Sequence, residues 1–213
     1  KDAYETDYQI FHQKPKPDYK PDNRIAVNFA KYMVDTFNGY FIGNPIKISV
    51  DGDAAGNIKK YVELLDQYND QDDNNAELSK ICCIYGKGYE MYYVDELGNI
   101  GITYLTPFDA FMIYDDSVLC REPYFGRLYI DSNDVLHGSV SDDTKVRWFA
   151  QKGKLVWEEE EKIHGFDGVP ATEYVENKER TCIFEPVMSM IDAYNKAISE
   201  KSNDVDYFAD AYM

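Results

Sequence analysis

The spacing of apolar residues changes from a helical period to a strand period at Tyr89. Before this residue, apolar side chains recur at i, i+3, i+4 and i+7, as in amphipathic helices. After it they alternate with polar side chains in short runs separated by turn clusters such as Glu96–Asn99 and Gln151–Lys154. No parallel strand–helix–strand rhythm appears, so the pattern predicts an antiparallel β-meander. The predicted strands are Tyr89–Val94, Ile100–Leu105, Phe111–Tyr114, Tyr124–Ile130, Lys145–Ala150 and Leu155–Glu159.

Three helices are predicted before the change of period. The first begins at Asp22, a residue type favoured at N-caps, and ends near Gly39 and Gly43. A short strand containing Ile46, Ile48 and Val50 follows, and then a turn at Asp51-Gly52-Asp53. The other predicted segments are a helix over about 54–69, a polar loop over 70–75 and a helix over Ala76–Tyr85 that stops at Gly86.

A long helix is predicted from Glu185-Pro186 to the end of the sequence, where apolar positions keep a helical period for about 27 residues, or roughly 40 Å. A helix of this length packs along another element or another subunit. Pro15, Pro17 and Pro21 favour an extended arm at the other end of the chain. The predicted fold class is therefore α+β: amphipathic helices plus an antiparallel β-meander, ending in a long C-terminal helix. The predicted division is an arm over 1–21, an α+β domain over 22–184 and the helix over 185–213.

The charge balance limits the partners of the chain. With 39 acidic and 22 basic residues the formal net charge is −17, and 15% of the residues are aromatic. Disordered acidic chains lack aromatic residues, so this composition predicts a folded protein. Tight binding to a phosphate backbone needs basic clusters, which the sequence lacks, but an acidic surface suits DNA that must slide past without sticking.

The ends of the sequence and its hydropathy carry two further expectations. No apolar run approaches the roughly 20 residues of a membrane helix, and the first residues do not form a signal peptide. The sequence begins without Met and stops at Met213 inside a predicted helix. We therefore expect it to be a fragment of a longer protein, without a membrane association.

No catalytic, cofactor-binding or metal-binding residues are predicted. Asp70-x-Asp72-x-Asn74 begins like a calcium loop, but Asn75 stands where Gly is needed and Ile81 where a bidentate Glu is needed. Gly86-Lys87-Gly88 precedes a strand, whereas a phosphate-binding loop follows a strand and opens a helix. The histidines have no metal or catalytic spacing, and the cysteines favour buried reduced thiols over disulfides. These residues are His12, His137 and His164, and Cys82, Cys83, Cys120 and Cys182.

Several stretches together resemble the portal proteins of tailed bacteriophages, in particular those of long-tailed phages of Gram-positive bacteria. Each short motif is loose, but their order and spacing over nearly the whole chain make the resemblance specific. The stretches that carry it are Asn23–Asn28, Gly39–Ile46, Cys83–Glu90, Gly168–Pro170 and Glu185–Asn195, with Ser199, Ser202, Asn203 and Asp204 downstream.

The resemblance implies a structural subunit without catalysis. Portal proteins form a ring, usually dodecameric, at one capsid vertex, through which a terminase drives DNA and to which head-tail adaptors attach. Major capsid or scaffolding protein is a further implied partner, and the implied locations are the virion and, during assembly, the bacterial host cytoplasm. Residues 22–184 would form the wing-like domain and 185–213 would lead towards the stem. Because the family's remaining parts would lie beyond Met213, we expect this fragment to be a monomer or a weak oligomer.

Two alternatives remain open at this stage. One is an acidic enzyme domain with two carboxylates in a pocket, as in glycoside hydrolases. The other is an acidic protein- or carbohydrate-binding module, which an exposed aromatic cluster on one sheet face would favour. The C-terminal helix distinguishes them: in a portal subunit its last turns should make few contacts with the body, whereas the alternatives would pack the helix against it.

Overall fold

The computed structural model describes residues 1–53 and 56–211, which form four α-helices, eight strands and two short 3-10 helices. The 3-10 helices are Gln9–His12 and Glu185–Val187. The α-helices are α1 (Phe29–Phe41), α2 (Asn57–Asn69), α3 (Gln71–Tyr85) and α4 (Met188–Ala211). The strands are β1 (Lys87–Val94), β2 (Ile100–Leu105), β3 (Ala110–Ile113), β4 (Tyr124–Ile130), β5 (Leu136–Ser141), β6 (Lys145–Lys152), β7 (Lys154–Ile163) and β8 (Ala171–Val175).

The strands form two antiparallel sheets. A three-stranded sheet has the order β2-β1-β8, and a five-stranded sheet has the order β3-β4-β5-β6-β7. The predicted α+β class with antiparallel sheets and a long C-terminal helix is confirmed. All six strands predicted for the meander are present, but β5 and β8 were not predicted. Strand β8 returns to pair with β1 instead of extending the meander. The meander is therefore the five-stranded sheet alone.

The first helix begins later than predicted. Residues 23–28 are not helical, and α1 starts at Phe29. Asn28, rather than Asp22, is the N-cap, because its side-chain oxygen accepts a hydrogen bond from the backbone N–H of Lys31 at 2.8 Å. The prediction was wrong because the backbone N–H groups before Asn28 bind side chains of α4, as described below.

Two further predictions in the helical half were wrong. Residues 46–50 form no strand, since no neighbouring strand pairs with them in the described structure. Most of the predicted polar loop over 70–75 is instead the first part of α3. Only Asp70, with φ of 49°, interrupts the helical conformation between α2 and α3. The helix places the Asn74 side chain beside β2, where it donates to the carbonyl of Ile102 at 3.2 Å. Asn69 accepts from the N–H of Ile102 at 2.6 Å, so two amides cover the edge of β2.

The described core has two clusters of buried residues. One lies where α1, α3 and α4 meet, and the first residues of the chain contribute Ala3, Tyr8 and Ile10 to it. The segment expected to be an extended arm therefore packs against the body over its first half, before the prolines begin. The second cluster joins the two sheets through Tyr89, Ala110, Met112, Phe125 and Ala171.

The junction between α3 and β1 depends on Gly86. Its φ of 79° is the left-handed conformation that ends many helices. A Cβ at this position would lie 2.1 Å from the carbonyl oxygen of Arg180, which crosses directly above the turn. Only glycine satisfies both conditions, as the sequence predicted for a helix stop at this residue.

Candidate functional site at the C-terminal helix

The face that α4 turns towards its own chain is polar. Asn195, Ser199 and Asn203 lie one helical turn apart and are almost fully buried. Each accepts a hydrogen bond from a backbone N–H of the extended segment that precedes α1. The donors are Val27 to Asn195 Oδ1 at 2.9 Å, Ile25 to Ser199 Oγ at 2.9 Å, and Asn23 to Asn203 Oδ1 at 2.6 Å. We call this set of three hydrogen bonds the amide ladder.

The amide ladder explains why residues 23–28 are extended. In a strand, alternate backbone N–H groups point to the same side. The distance between donors two residues apart on an extended segment is therefore close to the distance between acceptors four residues apart on a helix. Ser199 also donates to the carbonyl of Ile25 at 3.0 Å. These bonds satisfy backbone groups that a helix would otherwise have used.

Two contacts extend the ladder at its ends. Lys16 forms an ion pair with Glu200 at 2.7 Å, and the Asn23 side chain donates to Asp206 at 2.5 Å. The segment from Lys16 to Val27 thus lies along α4 for several turns. The hydrogen bond and charge of Lys16 lower the pKa of Glu200.

The opposite face of α4 is apolar and exposed. Met190, Tyr194, Ala197, Val205 and Phe208 share this face at helical spacing, and the four larger side chains are 47–70% exposed. Lys201 is the charged residue among them. We call these five apolar residues the outer stripe. A helix that buries amides and exposes apolar side chains leaves an apolar surface that its own chain does not cover.

The last turns of α4 are mostly exposed, although Asp206 still accepts a hydrogen bond from Asn23. Asn203 is the last buried residue in the described part of the helix, and the residues after it, through Ala209, are exposed. Val205, Tyr207 and Phe208 are each about 60% exposed. This is the arrangement that the portal resemblance predicts, and neither alternative predicts it.

A buried carboxylate connects the two sheets. The Glu173 side chain, on β8, is 3% exposed and accepts hydrogen bonds from Tyr89, Tyr114 and Arg180, with Lys87 at 3.4 Å. Burial acts to raise the pKa of Glu173, but the hydrogen bonds from Tyr114 and Arg180 outweigh it and hold that pKa below its usual value. Tyr114 follows β3 of the other sheet, so the cluster fixes one sheet against the other.

A second buried carboxylate, Glu90, joins α3 to the three-stranded sheet. It accepts hydrogen bonds from Gln71 at 3.0 Å, Tyr92 at 2.6 Å and Tyr174 at 3.2 Å. Burial raises the pKa of Tyr174 to about 12, so its hydroxyl stays a donor at neutral pH. Both carboxylates are satisfied by neighbours of fixed position, which indicates a structural role.

The four cysteines and three histidines do not come together in one site in the described structure. Burial raises the pKa of Cys82 and of Cys83 to about 12, so these thiols are poor nucleophiles. All four cysteines are free, and Cys120 is exposed. His12, His137 and His164 contact Asp7, Asp131 and the carbonyl of Asp142, respectively. Within residues 1–53 and 56–211, no group of three or more His, Cys, Asp or Glu side chains is placed to hold a metal ion.

A cleft of about 460 Å³ lies between the two sheets. Its walls are mainly apolar, with Tyr93, Val94, Trp148 and Ile163 among them, and Arg127 contributes a charge. Arg127 stacks on Tyr129, with 5.2 Å from the guanidinium carbon to the ring centroid.

Sequence reasoning did not assign roles to the residues of the amide ladder, Glu173 or Glu90. The spacing of Asn195, Ser199 and Asn203 was a usable signal, because three small polar residues at i, i+4 and i+8 interrupt the core side of an amphipathic helix. Glu173 had no such signal, since the strand that carries it was not predicted.

The fold and the two faces of α4 define a structural subunit that anchors a long helix by amides and leaves the apolar side of that helix exposed. Residues 1–213 match the family model described as "Phage portal protein, SPP1 Gp6-like", and the chain belongs to this family. No curated protein matches the chain.

Family membership settles the broad role. The family is structural and non-catalytic, and its members assemble as oligomeric rings in the phage head, at a capsid vertex. The enzyme alternative is thereby excluded. None of the helices in the described residues has the length and apolar character needed to cross a membrane.

Proposed function

We propose that this chain is a structural subunit of the portal ring that forms the conduit for DNA packaging and ejection. The same ring would be the attachment site for terminase and for the tail connectors. The observation that carries the proposal is the family match along the whole chain. Rings of the family act in the phage head, and the conduit is the role that a ring at a vertex can perform.

The two faces of α4 support a role in the ring. The amide ladder holds one side of the helix to residues 23–27. The exposed part of the outer stripe would contact a neighbouring subunit, with Tyr194 also packing on Phe29 of α1. In this proposal residues 1–21 are an arm, 22–184 a wing-like domain, and 185–213 a helix that leads towards the stem. The self-association is a ring of the dodecameric type.

The charge of the chain supports a conduit that does not hold DNA. At a formal net charge of −17, the subunit repels phosphate groups, so DNA would pass without tight binding. The proposed protein partners are terminase, major capsid or scaffolding protein, and the head-tail adaptor. The proposed locations are the virion and the host cytoplasm during assembly.

Mass photometry and negative-stain imaging of the native gene product that contains this chain would test the proposal. Rings with a central channel are expected. Monomers over a range of salt and protein concentrations would contradict it. A mobility-shift assay with double-stranded DNA at about 0.05 M salt, where phosphate contacts are strongest, should show no stable complex.

A further inference from the structure

Strand β7 forms a long unpaired edge of the five-stranded sheet. It pairs with β6 on one side, and no described strand lies on its other side. Its ten residues, Lys154–Ile163, are all exposed. Since alternate residues of an edge strand direct N–H and C=O groups outward, β7 offers a backbone template about 33 Å long.

The other edges of the two sheets differ from this one. The side-chain amides of Asn69 and Asn74 cover β2. The other two edge strands are short, because β3 has only four residues and β8 has five. Short or covered edges are how proteins prevent unwanted strand pairing. Strand β7 is neither short nor covered in the described structure.

The side chains of β7 specify what could pair with it. Leu155, Val156 and Trp157 are exposed apolar residues at its start, and Glu158–Glu161 follow as four consecutive carboxylates. Alternation along a strand places these carboxylates on both faces of the sheet. Among the described side chains, Glu161 is the member of this run that forms ion pairs, with Lys145 and with Arg147 at 3.0 Å. No cation among the described side chains lies within ion-pair distance of the other three.

A second copy of β7 is a poor partner for this edge. Antiparallel pairing of two identical strands would place carboxylates opposite or diagonal to carboxylates, and like charges across a strand pair are destabilising. A partner strand with lysine or arginine would instead form opposite-charge pairs on both faces. Its apolar residues would contact Trp157 and its neighbours.

We propose that β7 is a docking edge for an extended, lysine- or arginine-bearing segment of another protein, which adds a sixth strand to the sheet. Backbone hydrogen bonds would supply most of the binding, and Glu158, Glu159 and Glu160 would select the basic partner. The inference rests on the geometry of the sheet and its charge, and it is independent of ring formation.

Two synthetic peptides test the mode of binding on the intact chain. The first alternates lysine and valine over ten residues, the length of β7. The second replaces each valine by proline, which keeps the charge but removes half of the N–H donors. Fluorescence anisotropy should show the valine peptide binding about tenfold or more tightly than the proline peptide. Hydrogen–deuterium exchange should show added protection within 154–163.

A pair of matched variants tests the location. E158Q/E159Q/E160Q should weaken the valine peptide about three- to tenfold, because the opposite-charge pairs on the face that carries the lysines are lost. E96Q/D116N/E179Q removes the same charge from exposed positions elsewhere and should change affinity by less than about twofold. Circular dichroism checks that both variants fold.

Three results would overturn the proposal. They are equal affinity for the two peptides, added protection outside β7, and no binding of the valine peptide at all. The last result would mean that the four carboxylates serve only to keep other strands away from the edge.

Discussion

The side-chain oxygen of Asn195 accepts a hydrogen bond from the backbone N–H of Val27 at 2.9 Å, although the two residues are 168 positions apart. Asn195 is 1% exposed, so water cannot replace this bond if the side chain is changed. The contact therefore connects the start of the fold to its last helix. It also predicts what a substitution on the buried face of α4 would do.

Asn195→Leu should lower the free energy of unfolding by about 1–3 kcal/mol, because the part-buried N–H of Val27 would lose its acceptor. Urea unfolding followed by circular dichroism measures this change. Lys196→Ala, at the next and exposed position, is the control and should change stability by less than about 0.5 kcal/mol. Equal stability of N195L and wild type would show that the amide ladder does not anchor the helix.

Gly86→Ala should be much more destabilising than Gly98→Ala. Both glycines have φ near 80°, so both substitutions carry the left-handed strain of about 1 kcal/mol. At Gly86 the new Cβ would also lie 2.1 Å from the carbonyl of Arg180, whereas nothing lies within 4 Å at Gly98. We expect a difference of at least about 2 kcal/mol between the two variants in thermal or urea unfolding. Similar losses would argue against the close approach.

The stability of the protein should depend on pH through Glu173. Its folded-state pKa is lowered from the model-peptide value of 4.5, so the carboxylate stabilises the fold above that pH. This contribution is lost as the pH falls below 4.5 and through the folded-state pKa. Glu173→Gln should cost roughly 1 kcal/mol at pH 7, since Arg180 and Lys87 are partly exposed and screened.

The difference between wild type and E173Q isolates this group from the other carboxylates. Urea unfolding at a series of pH values measures this difference in the free energy of unfolding, which should decrease as the pH is lowered below 4.5. A difference that stays constant with pH would mean that folding does not change the pKa of Glu173.

Charged residues on the outer stripe should prevent assembly without unfolding the subunit. Met190→Glu and Phe208→Glu alter side chains that are 70% and 61% exposed, so the free energy of unfolding should change by less than about 0.5 kcal/mol. In the native gene product, mass photometry should show loss of rings. Lys196→Glu, on the same helix but off the stripe, should leave rings intact. Rings in both stripe variants would show that the stripe is not a subunit contact.

The cysteines should react in order of exposure. Cys120 is exposed and should react with Ellman's reagent within the mixing time. Cys82 and Cys83 are buried, with pKa values of about 12, and should react only after unfolding. A Cys120→Ser variant identifies the fast phase, which should vanish. A fast phase that persists in C120S would show that a second thiol is accessible in the folded protein.

Local patterns predicted the elements that local forces determine. The period change at Tyr89, the stop at Gly86 and the turn at Asp51–Asp53 are set by neighbours in the sequence, and all three are present. The prediction of a helix over residues 23–28 was wrong for the opposite reason. Their apolar spacing is helical, but the side chains that bind their backbone come from α4, more than 160 positions away.

Strands β5 and β8 were not predicted because contacts with distant parts of the chain determine them as well. β5 contains His137, Gly138 and Ser139, residues with little preference for strands. It is a strand because β4 and β6 pair with it on both sides, and because the absence of a side chain at Gly138 leaves room for the ring of Phe149. Likewise, Glu173 could not be recognised before β8 was known to lie beside β1.

The amide ladder also has a consequence for synthesis on the ribosome. Its three bonds join residues separated by 168 to 180 positions, so the acceptors do not exist when the donors emerge. At about 5–20 residues per second, the donors wait about 8 to 36 s for their partners. During this interval the backbone N–H groups of Asn23, Ile25 and Val27 lack the acceptors that they have in the folded structure. A nascent chain truncated before Asn203 therefore lacks the acceptor for the backbone N–H of Asn23.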